Sequence, residues 1–180
     1  MEQINIIFYL LASFFGIEDS KIAADKTTVT INPKTKEIVI VQEHIFTIIQ
    51  TEKDTAIALA QWEKIVNWKK NNTLWANELE SFTSKDVIIT SLDGELQIHI
   101  TLTYTNENDL RVMSIWYNKE KNQFSINDIP RDHTTSETGK IEGNYWVFNG
   151  DSTFSFTTEP FVDLPMDYKK FKHPITEILK

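Results

Sequence analysis

Apolar and polar residues alternate along much of this chain, most cleanly from Lys85 to Thr103. Successive side chains of a strand point to opposite faces, so such alternation predicts half-buried β-structure. Asp93-Gly94 falls in the middle of the stretch and supplies residues that tolerate the positive φ of a type I′ hairpin turn. Folding there sets Val87 opposite Ile100, Ile89 opposite Ile98 and Ser91 opposite Leu96. Thr90/Gln97 and Ile88/His99 then fall on the other side. One face is dry and the other mostly polar.

The same grammar predicts further elements. Thr28–Ile31 and Ile38–Val41 form a hairpin through Asn32-Pro33-Lys34-Thr35-Lys36, where proline presets φ and asparagine favours turn initiation. The second strand runs on through Phe46 to Ile49, but Gln42-Glu43-His44 interrupts it and predicts a bulge, a bend or a sheet edge. Thr51-Glu52-Lys53-Asp54 offers a helix N-cap and an acidic first turn. Ala58, Leu59, Trp62, Ile65 and Val66 then share one helical stripe, and Asn71-Asn72 ends it. Leu74–Phe82, with Trp75 and Leu79, reads as a short second helix covering Ile57 and Trp68. Leu110–Tyr117 and Phe124–Ile126 read as strands joined through Asn118–Lys121. Tyr145–Phe148 and Thr153–Phe156 read as a hairpin around Asn149-Gly150-Asp151, with Tyr145, Val147, Phe154 and Phe156 on one face. Ile129–Gly143 has no period and reads as a mobile loop. Met166–Lys180 closes the chain as one or two helical turns broken at Pro174.

About eight strand segments and one main amphipathic helix predict an α+β fold, a curved antiparallel meander sheet packed on that helix. An up-and-down β-barrel with a helical insertion is the alternative. The broad Trp62 face favours the open sheet, because it needs a sheet to bury it. No repeat or linker divides residues 25–180, which read as one domain. At 180 residues, the chain is long enough to bury a core without staples.

Ile4–Phe15 is a nearly unbroken apolar run of about a dozen residues, short of the roughly 20 that span a bilayer, so no transmembrane span is expected. The run suits the hydrophobic region of a secretory signal, and Ile22-Ala23-Ala24 suits its cleavage site, although Met1-Glu2-Gln3 lacks the basic start. Residues 1–24 are therefore read as a signal peptide or a short apolar helix. The absence of a polar face tips the reading toward export. The expected location is the periplasm or the cell exterior, with the cytoplasm as the alternative.

A formal charge of −8 speaks against nucleic acid as the partner, since phosphate binding relies on clustered Lys and Arg. Cysteine is absent, which removes disulfides, thiolate metal sites and a cysteine nucleophile. The four histidines have no metal spacing, no glycine-rich phosphate cradle is present, and no cofactor is expected. His44 and Glu43, adjacent in a strand, point to opposite sides.

His99 lies with Gln97, Thr101 and Thr90 on the polar side of its hairpin; lining a cavity, these groups would orient a small polar ligand. Trp116 and Tyr117 cannot both face inward on one strand, nor can Tyr145 and Trp146, so an aromatic of each pair reaches the second face. His133 sits among acids and hydroxyls in the Ile129–Gly143 loop, without the converging elements of a catalytic triad. The leading expectation is a non-enzymatic binding or assembly module contacting a protein partner through Trp116, Trp146 and His133. In one version its acidic body caps a basic partner, as an inhibitor would. The alternative is a small-ligand carrier or hydrolase-like enzyme with a cavity around His99.

Overall fold

The computed structural model describes residues 14–17 and 19–180. Its strands are β1 (Ile22–Asn32), β2 (Glu37–Ile48), β3 (Ser84–Leu92), β4 (Glu95–Thr103), β5 (Trp116–Asn118), β6 (Gln123–Asn127), β7 (Lys140–Glu142), β8 (Tyr145–Asn149), β9 (Phe154–Thr158) and β10 (Lys172–Pro174). The helices are α1 (Glu52–Val66) and two short turns, α2 (Met166–Lys169) and α3 (Ile175–Ile178). The large sheet runs β3-β4-β2-β1-β9, with β10 also paired to β2; the small sheet runs β5-β6-β8-β7. Every pairing is antiparallel. The architecture is the expected α+β fold with a curved sheet, but the strands divide between two sheets and neither closes into a barrel.

The β3–β4 hairpin has the register read from the sequence, with Ile89 paired to Ile98, Val87 to Ile100 and Ile88 to His99. Ile98 and Ile100 are fully buried and Val87 nearly so. In the β1–β2 turn the Asn32 carboxamide accepts from the backbone N–H of Lys34, and Ile31 pairs with Ile38. The capping box of α1 is formed: Thr51 Oγ1 accepts from Asp54 N–H, and Asp54 accepts from Thr51 N–H. Lys21 lies 2.8 Å from Asp54, and with the backbone donors it holds that carboxyl well below the usual range. Ala58, Trp62 and Ile65 of the predicted stripe are buried, whereas Leu59 and Val66 lie toward its exposed margin. Trp68 packs edge-on to Trp75 at 5.3 Å. The covering segment is a 3-10 turn, Asn77–Leu79, rather than an α-helix.

Three expectations are corrected. Tyr145–Phe148 and Thr153–Phe156 are not a hairpin: β8 pairs with β6 and β7, while β9 pairs with β1. Asn149-Gly150-Asp151 is thus a crossover between sheets. A Cβ on Gly150 would lie 2.7 Å from the Asn122 carbonyl oxygen, so glycine serves close packing there. Phe148, not Tyr145, meets Phe154, with rings stacked at 4.5 Å and 20°, and this contact joins the sheets into one core. Leu110 and Met113 belong to a 3-10 helix, Glu107–Met113, because Asn106 and Asp109 form a capping box that closes a helical turn. Of Leu110–Tyr117 only Trp116 and Tyr117 are strand, as the start of β5. Ile129–Gly143 is fastened rather than loose: Thr135 bridges to Thr157, Ser136 Oγ donates to the Ser155 carbonyl at 2.6 Å, and β7 extends the small sheet.

Of the apolar run Ile4–Phe15, residues 4–13 lie outside the described residues; Phe14 and Phe15 are buried in the core. Ile22 and Ala24, expected near a cleavage site, are buried residues of β1. Among the described residues, no helix is long and apolar enough to cross a membrane.

Candidate functional site

The interruption at Gln42-Glu43-His44 is a bend that re-pairs the sheet. β2 pairs with β4 only from Glu37 to Gln42, and beyond the bend, from Phe46 to Ile48, it pairs with β10. His44 sits between the two stretches with φ +54°. Left-handed backbone costs a non-glycine residue roughly 1–2 kcal/mol. Lys36, Asp93 and Asn122 also have positive φ, but they lie in turns, whereas His44 is inside a strand. Across the bend the buried face changes parity. Ile38 and Ile40 face the core before it, and Ile45 after it; on β1, Val29 and Ile31 give way to Ala24 and Ile22. A regular ribbon keeps one parity on one face, so the switch requires the backbone rotation at His44.

Where β4 and β10 part, a cleft of about 460 Å³ opens. Its apolar wall comes from Ile45, Phe46, Leu96, Pro174 and Ile175, and its polar groups are Asp25, His44, Glu95, Lys172 and Thr176. One histidine–carboxylate contact and one ion pair stand there. His44 Nδ1 is 2.6 Å from Glu95 Oε2, and Lys172 Nζ donates to both carboxylate oxygens of Asp25 at 2.5 Å. Lys172 Nζ also lies 4.4 Å from the centroid of the Phe46 ring, close enough for a cation–π contact. The volume and the mix of an apolar wall with a few converging polar groups are those of a small-ligand site.

The residues expected to bind a ligand share one open surface. Thr90, Gln97, His99 and Thr101 lie on the face of the large sheet turned away from its core, where Thr90 pairs with Gln97, and Val41 and Ile88 flank His99. Gln97 Nε2 donates to Glu43 Oε1 at 3.3 Å, and Glu43 pairs with Lys26 at 2.9 Å, raising the lysine pKa. None of the four lines the cleft.

The residues expected to meet a partner are dispersed. Trp116 is on the outer face of the small sheet, opposite Ser125, beside a groove of about 670 Å³ that also involves Arg111 and Tyr145. Trp146 points inward against the core and donates its indole N–H to Asp128 at 3.1 Å. Tyr145 is therefore the neighbour of Trp116 outside. His133 lies in the left-handed region, with Nε2 2.8 Å from Asp163 Oδ2. The preceding Asp132 is buried, and burial raises its pKa.

Asp25, His44, Glu95 and Lys172 escaped the sequence reading as a group. The break at His44 was the one local signal, and no spacing foretells contacts between such distant segments. Among the described residues, no group of three or more His, Asp or Glu side chains is placed to hold a metal ion. No protein-family model, curated protein or solved structure matches the chain.

Proposed function

We propose that this protein is a non-enzymatic binding module that takes a small ligand in the cleft at the β2 bend. One observation carries the reading: a mid-strand residue held at φ +54° stands where a histidine–carboxylate contact, a lysine–carboxylate ion pair and an apolar wall converge on one concavity. Backbone strain persists where the surrounding structure enforces it, and ligand sites are a common setting. The small-ligand alternative thereby moves from His99 to His44.

The test is to fill the cleft from its lining with Thr176→Trp. Native protein is purified, denatured and its released small molecules identified by mass spectrometry. A molecule enriched with the wild type over the folded variant is expected. Identical profiles from two folded proteins would refute the proposal.

A second reading, a protein partner on the small sheet, is favoured by Trp116 and Tyr145 standing on its outer face beside Arg111 and Lys119. Arg111 and Lys119 outnumber the single acid of that lining, Glu120, and suit a partner presenting a carboxylate next to an apolar side chain, which reverses the charge expected of it. Trp116→Ala should abolish capture of such a partner while Trp146→Ala, altered on the inner face, retains it in its folded fraction. The opposite pattern would exclude this surface.

A further inference from the structure

We propose that the cleft takes an organic cation, a primary ammonium carried on a short apolar tail; this rests on the cleft being the recognition site. The lining sets two carboxylates, Asp25 and Glu95, against one lysine, Lys172. The two acids are not equally engaged. Lys172 holds both oxygens of Asp25 and lies over the Phe46 ring, so its charge is matched on two sides. An incoming anion would have to detach Lys172 from that bidentate contact and would meet Glu95 as a like charge.

An incoming cation meets the opposite situation. Glu95 has 61% of its side chain exposed and places Oε2 on His44, while Oε1 accepts no hydrogen bond from the described residues. A primary ammonium has three donors in a compact head, which suits one free carboxylate oxygen on the cleft lining. Ile45, Leu96 and Ile175 offer the wall against which a short tail would lie. The overall charge of −8 adds a long-range attraction for cations and none for anions.

The probes are n-hexylammonium, n-hexanol and hexanoate, each titrated into the full chain while the amide NMR shifts of Ile45, Leu96 and Thr176 are followed. Hexylammonium should bind tightest, and Glu95→Gln should weaken it by about five-fold, the upper range of an exposed ion pair. Glu95→Lys, at an exposed position, should turn the preference toward hexanoate. Hexanol or hexanoate matching hexylammonium on the wild type, or an affinity indifferent to either substitution, overturns the cation while leaving the cleft as a site. Unmoved amides with all three probes overturn the cleft itself.

Discussion

A chain shortened to begin at Asp25, as cleavage after Ala24 would leave it, should fail to fold stably. Phe14, Phe15 and Ile22 are 0%, 3% and 3% exposed, and full burial of such side chains contributes roughly 1.5–3 kcal/mol each. Their loss alone removes about 6 kcal/mol on that scale, against a total stability of about 5–15 kcal/mol for an ordinary domain. Phe15 also packs on Trp75 at 5.0 Å, and the Phe14 carbonyl accepts from Ala76 N–H at 2.7 Å. The pairs Ile22–Thr47, Ala23–Phe46 and Ala24–Ile45 would go as well, exposing the β2 edge beside the cleft. Urea unfolding followed by tryptophan fluorescence and far-ultraviolet circular dichroism would compare full and shortened chains. A shortened chain whose unfolding free energy lies within about 1 kcal/mol of the full one would refute this assignment of the core. Should the protein be exported, N-terminal sequencing of the mature chain should find a start before Phe14, because Phe14 and Phe15 belong to the core.

Three further outcomes follow from single side chains. Tyr104 is 1% exposed and its hydroxyl has no hydrogen-bond partner among the described residues, so Tyr104→Phe should raise stability by about 1 kcal/mol in urea titration; a loss of that size would show a partner for the hydroxyl. Asp132 has its pKa raised by burial, so the folded state favours the protonated form, and stability falls as pH rises from the unfolded value through the folded one. Asp132→Asn should therefore stabilise the protein at pH 7 and lose that advantage toward pH 3; an advantage independent of pH would refute the charge argument. Trp62→Ala should cost roughly 3–5 kcal/mol in the same titration, since Trp62 is buried in the shared core, and a cost below about 1 kcal/mol would detach α1 from it.

What was legible in the sequence was governed by local rules. Asp93-Gly94 dictates its own turn, and alternation on both sides then fixes each pair from Val87–Ile100 to Ser91–Leu96. Thr51 and Asp54 cap α1 within a span of four residues. The errors arose where tertiary contacts chose between locally acceptable answers. Asn149-Gly150-Asp151 is as good a hairpin turn as Asp93-Gly94 by composition, yet Gly150 donates its N–H to the Asn122 carbonyl, fastening the crossover to the β5–β6 turn. Phe148 then stacks on Phe154 from the other sheet, a packing choice that alternation within either strand does not encode. Asn106-x-x-Asp109 carries a helix-capping pattern, whereas the apolar content of Leu110–Tyr117 by itself suits a strand.

The candidate site was less legible for a related reason. Its strained residue announced itself as an interruption at Gln42-Glu43-His44, but an interruption does not say what the freed strand edge meets. The answer comes from the far end of the chain: Lys172 reaches Asp25 across 147 positions, and β10 occupies the part of β2 that β4 has left. Two successive partners on one strand edge need a boundary between them, and His44 is that boundary. The cleft exists because β4 ends its pairing at Gln42 while β10 begins at Phe46, leaving room between them that neither strand fills. The bend and the gap are thus one structural event, and a ligand filling the gap would interact with the segment that sets the parity of the core on both β1 and β2.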